Sequence, residues 1–314
     1  MNFDGFCGNA ALKQRLGAAF SADKISHCWL LCGPHGSGRH TLARILAAAM
    51  QCRSASDVPC GHCTACRKVF ADRHPDVITV DDPDHVSVGV GIVRDARADV
   101  FERPNEGKRK IYIFPQSLGI PAQNALLKIL EEPPDYAAFV LLTESAEAVL
   151  PTVRSRSVQL SLSPVPQEEA VDWLKRQYPD RPARELAAAY ERSGGFLGQA
   201  AELLGSEDSD PLTEAFAACM KSGDRLALLQ TLVPLEKYKR DRLMQVLQQW
   251  RRLLTESLAV KSGAAAASEQ ASVIAAGQTA ARLLHGAQAL QRAVDALNTN
   301  AGVGTVIGWL STEL

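Results

Sequence analysis

Long apolar runs are absent from this sequence of 314 residues. No stretch of about 18 consecutive apolar residues occurs, which argues against a membrane-spanning helix of ordinary length. The first residues, Met1-Asn2-Phe3-Asp4, also lack the basic start of a secretory signal. We therefore expect a cytoplasmic protein without a membrane partner, whose eight cysteines are free thiols or metal ligands and not disulfides.

A large excess of charge of either sign is missing as well. Lys and Arg number 34 and Asp and Glu number 35, so the net charge is -1. The chain as a whole therefore has no electrostatic attraction to nucleic acid or to membrane surfaces. Any contact with nucleic acid has to be local or supplied by partner subunits. The length predicts two or three domains, each with its own core.

The frame of a phosphate-binding loop is present. Residues 30–42, LLCGPHGSGRHTL, predict a buried strand, a glycine-rich turn and the start of a helix. In this layout, backbone N–H groups surround phosphates at a helix N-terminus. The candidate binding residues are the glycines and the three residues after them: Gly33, Gly36, Gly38, Arg39, His40 and Thr41. The alternative is a strand, turn and helix that binds no ligand.

The catalytic parts of that loop are missing. The pattern G-x-x-x-x-G-K-[ST] contains a Lys that reaches the phosphates and a Ser or Thr that binds Mg²⁺. Arg39 stands in the first place and His40 in the second, while Thr41 comes one residue late, about 100° around the helix. Arg keeps the positive charge, but its planar guanidinium differs from a compact ammonium. ATP is therefore a doubtful ligand of this loop.

A second catalytic element is missing at the end of the strand predicted over residues 108–114. In nucleotide hydrolases such a strand ends in Asp-Glu, with one carboxylate for Mg²⁺ and one that polarises the attacking water. Here the strand is followed by Pro115, Gln116 and Ser117. These two independent losses argue against hydrolysis of ATP by this chain.

Four cysteines within residues 52–66 have the spacing C-x7-C-x2-C-x2-C: Cys52, Cys60, Cys63 and Cys66. Two-residue gaps let successive thiolates bind one tetrahedral ion, and a cysteine at the preceding helix end completes the set. Four cysteines without an open position predict a structural Zn²⁺ site. An iron–sulfur cluster is one alternative, and unrelated thiols or disulfides are another. His62 lies within the Cys60–Cys63 turn, where we expect an exposed residue and not a ligand.

Strands and helices alternate along the first half of the chain. Strands are predicted at residues 28–32, 76–80, 108–114, 139–143 and 158–160, and helices at 41–51, 90–101 and 122–130. This alternation indicates a parallel sheet covered by helices. Beyond residue 166 the pattern is helical only.

The helical half contains one long amphipathic pattern. We interpret its apolar stripe as the core of a helix bundle: Leu243, Val246, Leu247, Trp250, Leu253, Leu254 and Leu258. We interpret the basic residues of this region as a solvated face and not as a DNA-binding patch: Lys237, Lys239, Arg240, Arg242, Arg251 and Arg252.

Four segments together resemble the delta-prime family of bacterial DNA polymerase III clamp-loader subunits, within the AAA+ class. They are GPHGSG at residues 33–38, the four-cysteine insert after the next helix, NALLKILEEPP at 124–134 and LPTVRSRS at 150–157. The third is similar to the family's N-A-L-L-K-x-L-E-E-P-P, and the fourth to its Ser-Arg-Cys segment, with Ser157 in place of Cys. The sequence LNTN at residues 297–300 is a weaker match, to the last helix region of the family's collar domain.

The resemblance implies a domain organisation and a set of partners. It implies an AAA+ α/β domain at residues 1–162 with the zinc insert at 52–66, a helical lid at 163–206 and a helical collar for oligomerisation at 207–314. The implied partners are gamma/tau and delta subunits in a hetero-pentameric ring. The sliding clamp and primer-template DNA would be contacted mainly through the assembled complex.

The resemblance also implies a role for Arg156. It would reach the γ-phosphate of ATP on the neighbouring subunit as an arginine finger, which stabilises charge in the transition state. Gln199 stands in the lid's second-sensor segment, where active members of the family usually have Arg. Together with the two losses above, this favours the delta-prime type over the hydrolysing gamma/tau type.

Three functions remain open at this point. The first is a non-hydrolysing clamp-loader subunit that supplies Arg156 to a neighbour, and the second is an active gamma/tau-type ATPase with a variant loop. The third is a zinc-dependent nucleic-acid-binding protein. The missing Lys and Asp-Glu count against the second. The near-neutral charge, without interleaved basic and aromatic residues, counts against the third.

Overall fold

The computed structural model describes residues 1–54, 57–85, 87–205, 211–263, 268–299 and 301–314. The chain divides into two compact units, Met1–Leu204 and Gly205–Leu314. The predicted boundary between residues 206 and 207 lies outside the described residues. Within the described ranges, no helix is long and apolar enough to cross a membrane.

The first unit contains a five-stranded parallel sheet with the strand order β2-β4-β6-β1-β7. Its strands and those of a separate two-stranded pair, β3-β5, are β1 (Cys28–Cys32), β2 (Val77–Thr79), β3 (Ser87–Val88), β4 (Lys110–Phe114), β5 (Ser117–Leu118), β6 (Ala137–Thr143) and β7 (Val158–Ser161). Each of the five predicted strands is present with its ends within two residues of the prediction, so the predicted parallel α/β fold is confirmed. The pair β3-β5 was not predicted, because two-residue strands leave no periodic signal.

Helices lie before and between these strands, and in the described part of the first unit three further helices follow the last strand. They are α1 (Ala10–Ser21), α2 (Arg39–Gln51), α3 (Thr64–Phe70), α4 (Val90–Asp99), α5 (Ile120–Glu131), α6 (Pro151–Arg154), α7 (Gln167–Gln177), α8 (Ala183–Arg192) and α9 (Leu197–Gly205). The predicted helix start at Thr41 is wrong. Helix α2 begins at Arg39, directly after Gly38, whose φ of 92° places it in the left-handed region. The candidate residues Arg39, His40 and Thr41 therefore all lie in the first turn of α2.

The sheet is buried on both faces. All residues of β1, β4 and β6 are buried, which explains their nearly continuous apolar sequence. Leu31 and Ile113 belong to a core shared with α1, α2 and α3, whereas Leu30 and Tyr112 belong to a core shared with α4 and α5. The carboxyl ends of β1 and β6 are in register, with Cys32 beside Thr143, so the loops after these strands meet at one edge.

The second unit is a helix bundle. Its helices are α10 (Pro211–Ser222), α11 (Arg225–Leu232), α12 (Arg240–Lys261), α13 (Glu269–Gly277), α14 (Ala280–Asn298) and α15 (Val303–Glu313). The apolar stripe of α12 lies in the core, as predicted, and Trp250 stacks on Phe216 with ring centroids 4.1 Å apart. Arg251 departs from the predicted solvated face, because it is half-buried and donates a hydrogen bond to Gln291 of α14.

Candidate functional site

The loop between β1 and α2 contains two glycines in left-handed backbone conformations. Gly36 and Gly38 have φ of +73° and +92°, which non-glycine residues rarely adopt. A Cβ atom on Gly38 would lie 3.1 Å from the ring of Phe6, so the N-terminal segment packs against the end of the loop. The predicted strand, turn and helix are therefore present, with the glycines where the backbone requires them.

Arg39 is already paired with a carboxylate of the same chain. Its guanidinium Nη2 lies 3.7 Å from Oε1 of Glu144, and only 10% of its side chain is exposed. Burial lowers the pKa of Arg39, and the negative charge of Glu144 opposes that shift. Glu144 directly follows β6, a place at the carboxyl edge of the sheet from which sequence reasoning could have selected it.

His40 presents an imidazole where a hydroxyl would bind Mg²⁺. Desolvation, together with the positive charges of Arg39, His35 and Arg44, lowers the pKa of His40. The imidazole is thus favoured in its neutral form at neutral pH. It lines a cavity of about 270 Å³ whose other walls include Arg44. Thr41 is exposed on the next position of the helix.

The residues that follow β4 hold a neighbouring loop in place through hydrogen bonds. Oε1 of Gln116 accepts a hydrogen bond from the amide of Asp82 at 2.7 Å, and its Nε2 donates to the carbonyls of Asp82 and His85 at 3.0 and 2.9 Å. This amide therefore fastens the loop that follows β2 to the end of β4. Pro115 offers no side-chain acceptor. Neither residue that follows the strand carries a carboxylate.

Helix α9 packs directly on the candidate loop. The amide of Gly198 donates to the carbonyl of Gly36 at 2.9 Å, and a Cβ atom on Gly198 would lie 2.5 Å from the Cα atom of Gly36. Nε2 of Gln199 donates to the carbonyl of His35 at 2.7 Å, and Nε2 of His35 lies 2.6 Å from Oε1 of Glu202. Gln199 thus binds the backbone of the loop. Sequence reasoning missed this contact, since its residues are more than 160 positions apart.

The four predicted metal ligands lie together. The Sγ atoms of Cys52, Cys60, Cys63 and Cys66 all lie within 4.8 Å of one another, close to the spacing of thiolates around a tetrahedral ion. Amide groups donate to three of these sulfurs at 3.4 Å. Burial acts to raise the pKa of Cys63, but hydrogen bonds from the amides of Cys66 and Arg53 lower it to about 6, while burial raises the pKa of the neighbouring Cys66. This cluster could hold a metal ion.

The cysteine cluster joins two helices. Cys52 directly follows α2, and Cys66 is buried on α3. Arg44 of α2 donates to the carbonyl of Phe70 at 2.6 Å and to the carboxylate of Asp72 at 2.7 Å, just beyond α3. The ring of His62 is exposed and its Nδ1 lies 2.8 Å from the carbonyl of Cys60, as expected for a residue that is not a ligand.

Arg156 lies in the turn between α6 and β7. Its Nη2 donates to Oε1 of Glu131 at 2.7 Å, and its Nη1 donates to the carbonyl of Thr152 at 2.9 Å. About a third of the side chain, 34%, is exposed. Ser157, which replaces the family's Cys, donates to the carbonyl of Val153 at 2.8 Å, and its Oγ lies 3.1 Å from Sγ of Cys28 on β1. The substitution therefore leaves the turn packed against the sheet.

A buried amide positions the segment that carries Arg156. Gln123 of α5 is 3% exposed. Its Nε2 donates to the carbonyls of Leu118 and Ala148 at 2.7 and 3.1 Å, and its Oε1 accepts from the amide of Leu150 at 2.7 Å. The chain thus enters α6 at a position determined by α5. Gln123 gave no sequence signal of its own, because its partners are backbone groups.

Replacement of Gln123 by Leu is expected to destabilise the first unit by about 2–4 kcal/mol, because three backbone groups lose the hydrogen bonds that the buried Gln123 side chain makes with them. Thermal unfolding followed by circular dichroism measures this change. Asn124→Leu is the matched control, since Asn124 is exposed on the same helix and should change stability by less than about 0.5 kcal/mol. Equal unfolding midpoints for the two variants would contradict the role of Gln123.

Comparison with known proteins places this chain in a family. The family model for the DNA polymerase III delta subunit matches residues 8–166, just over half of the chain. The delta-prime subunit of Escherichia coli is 32% identical over 226 residues, which cover 70% of this chain and 67% of that subunit. The delta-prime subunit of Pseudomonas aeruginosa is 36% identical over 176 residues, covering 54% and 53%.

Other similarities are less extensive. The chain spans about half the length of the first curated relatives that it matches. The match to a crystal structure of a DNA polymerase III gamma-subunit-related protein from Thermotoga maritima covers 95% of this chain and 98% of that chain, with 19% identity and a TM-score of 0.45. On the family match and the Escherichia coli relative, the chain belongs to the delta-prime family of DNA polymerase III clamp-loader subunits.

Proposed function

We propose that this chain is a non-hydrolysing subunit of a bacterial clamp loader that supplies Arg156 to the ATP site of a neighbouring gamma/tau-type subunit. One observation carries the first part of the proposal. Where a hydrolase has its Lys, its Mg²⁺ ligand and its carboxylate pair, this chain has Arg39 paired with Glu144, a His40 favoured as neutral imidazole, and Pro115 with Gln116.

The contact of α9 with the loop supports the same proposal. A second sensor acts by bringing a cation to the phosphates of bound nucleotide, which Gln199 cannot do because it is uncharged. Its amide instead donates to the carbonyl of His35. Through the hydrogen bond between Gly198 and Gly36, the loop would connect the sheet to the helices α7–α9 and would have a structural role.

The position of Arg156 supports the second part of the proposal. Its guanidinium is reachable from solvent and lies in the turn after α6, a helix whose start Gln123 holds through the amide of Leu150. A fixed guanidinium at the surface can stabilise charge on a phosphoryl group bound to another chain, as arginine fingers do. In the proposed ring the partners are gamma/tau and delta subunits in a hetero-pentamer in the cytoplasm, joined through the collar. The complex would load the sliding clamp onto primer-template DNA.

The cysteine cluster fits structural zinc. Four sulfurs, three of which accept hydrogen bonds from amides, form a closed set of soft ligands, which is the chemistry of Zn²⁺ sites that stabilise folds. We propose that Cys52, Cys60, Cys63 and Cys66 hold this ion. Bound zinc would fasten α3 to the end of α2. Its role would be to stabilise the fold, without a part in catalysis.

A second candidate function is that of an active gamma/tau-type ATPase with a variant loop. The intact backbone of the loop favours it, because Gly36 and Gly38 keep the left-handed conformations of a phosphate cradle. Against it stand the absence of Asp-Glu after β4 and the pairing of Arg39 with Glu144.

ATP binding and hydrolysis by the purified chain alone test the proposal. Titration calorimetry with Mg²⁺-ATP and release of phosphate should show weak or absent binding and no turnover. Turnover that disappears in the Arg39→Ala variant would overturn the proposal in favour of the second candidate. Turnover that persists in that variant at the same rate would come from a contaminating ATPase, and a further round of purification should then remove it.

A further inference from the structure

The guanidinium of Arg156 is engaged before any neighbour is present. Glu131, the last residue of α5, accepts a hydrogen bond from Nη2 at 2.7 Å, while the carbonyl of Thr152 accepts one from Nη1 at 2.9 Å. Each terminal nitrogen of the guanidinium therefore already donates a hydrogen bond within the chain. The Glu131 carboxylate presents the same kind of negatively charged oxygen that a phosphate presents, so the two groups compete for the same N–H groups.

The ion pair has the properties of an exchangeable contact. The side chains of Arg156 and Glu131 are 34% and 49% exposed. Water and salt screen pairs of this kind, which makes them weak and readily broken. A phosphate that approached Arg156 with Glu131 still in place would meet a second negative charge within a few ångströms and would be repelled. Arg156 therefore binds a phosphate more tightly once Glu131 has left the guanidinium.

We propose that Glu131 occupies Arg156 in the unassembled chain and is displaced by the γ-phosphate of ATP on the neighbouring subunit. This inference rests on the proposed function of Arg156 and adds a regulatory contact to it. Because the Arg156–Glu131 ion pair has to be broken on binding, the free energy of that pair is subtracted from the binding free energy of this chain to a nucleotide-bound neighbour. Glu131 thereby keeps the contact reversible through cycles of ATP binding and hydrolysis.

The next residue offers a matched control. Glu132 is exposed, and no hydrogen bond or ion pair of its side chain is found among the described residues. Glu131→Gln and Glu132→Gln remove the same charge one position apart, but only the first weakens the contact with Arg156. A general effect of charge would appear in both variants, whereas the proposed exchange would appear only in the first.

The test measures binding of the full-length chain to its gamma/tau-type ATPase subunits, with Mg²⁺-ATPγS and without nucleotide. With ATPγS, Glu131→Gln should bind about two- to fivefold more tightly than the wild type, as expected for loss of an exposed ion pair. Without nucleotide, and in high salt, the two should bind equally. Glu132→Gln should match the wild type throughout.

The Arg156→Ala variant separates the inference from the proposed function. If this variant gains as much affinity from ATPγS as the wild type does, the proposed role of Arg156 is wrong. If it loses that gain but Glu131→Gln binds no more tightly than the wild type, the role stands and the exchange is wrong. Equal tightening by Glu132→Gln would also overturn the exchange. In the double variant with Arg156→Ala, Glu131→Gln should have no effect.

Discussion

Replacement of Arg156 by Ala is expected to lower the DNA-stimulated ATPase of the reassembled clamp loader without unfolding the chain. Removal of an arginine finger costs about 10³-fold or more in the rate of phosphoryl transfer at the site that it serves. Only the ATP site next to this chain would lose its finger. The other sites would continue, so the steady-state rate of the whole loader should fall severalfold while the rate at that one site becomes negligible. Phosphate release by the reassembled complex measures this.

The neighbouring arginine provides the control for that experiment. Arg154 lies two residues earlier at the end of α6, and Arg154→Ala removes the same charge from the same segment. Its loader should keep an ATPase rate within about twofold of the wild type, since the finger remains. Circular dichroism and co-purification should show that both variants fold and assemble. An unchanged rate with Arg156→Ala in an intact complex would remove the proposed finger.

Loss of one cysteine ligand is expected to release the metal and to destabilise the first unit. The purified wild type should contain about one zinc per chain by elemental analysis, and Cys63→Ser should contain none. Without the ion, α3 would be held to α2 by the packing of Val69 and by the hydrogen bonds of Arg44 with Phe70 and Asp72. We expect a loss of about 3 kcal/mol and a thermal midpoint lower by roughly 6–12 °C.

A cysteine outside the cluster serves as the matched control. Cys7 lies in the same unit but is not one of the clustered residues, so Cys7→Ser should keep the zinc and most of the stability. Treatment of the wild type with a chelator should reproduce the lower midpoint of Cys63→Ser and leave that variant unchanged. A purified chain that contained iron and no zinc would contradict the assignment of the metal.

Local features of the chain were predictable because their physical cause is local. A fully buried parallel strand needs a continuous apolar run, so β1, β4 and β6 could be located from the sequence. Gaps of two residues let the sulfurs of successive cysteines face a single ion. The cluster of Cys60, Cys63 and Cys66 could therefore be predicted from the sequence, together with its fourth member, Cys52. Helix α3, which carries Cys66, was not predicted, because seven residues are too few to show the hydrophobic period of a helix.

Contacts between distant parts of the chain had no such signal. Glu144 pairs with Arg39 because β6 lies beside β1 in the sheet, which the order of the strands along the chain does not reveal. Gln123 is buried by its packing, and its partners are backbone carbonyls and an amide that any sequence would supply. The sequence therefore shows which residue types stand at the candidate loop and after β4, but it did not predict what Arg39 and Gln116 contact.

By itself the sequence determined the parallel α/β fold, the group of four cysteines, and the presence of Arg39 and His40 where the phosphate-loop pattern has Lys and Ser or Thr. These follow from residue type, spacing and hydrophobic pattern, which act within short stretches of chain. The tertiary structure alone decided that Gln199 binds the loop and that Glu131 occupies Arg156. Both contacts join residues that are distant in sequence and come together only when the helices pack, so side-chain hydrogen bonding there depends on the fold.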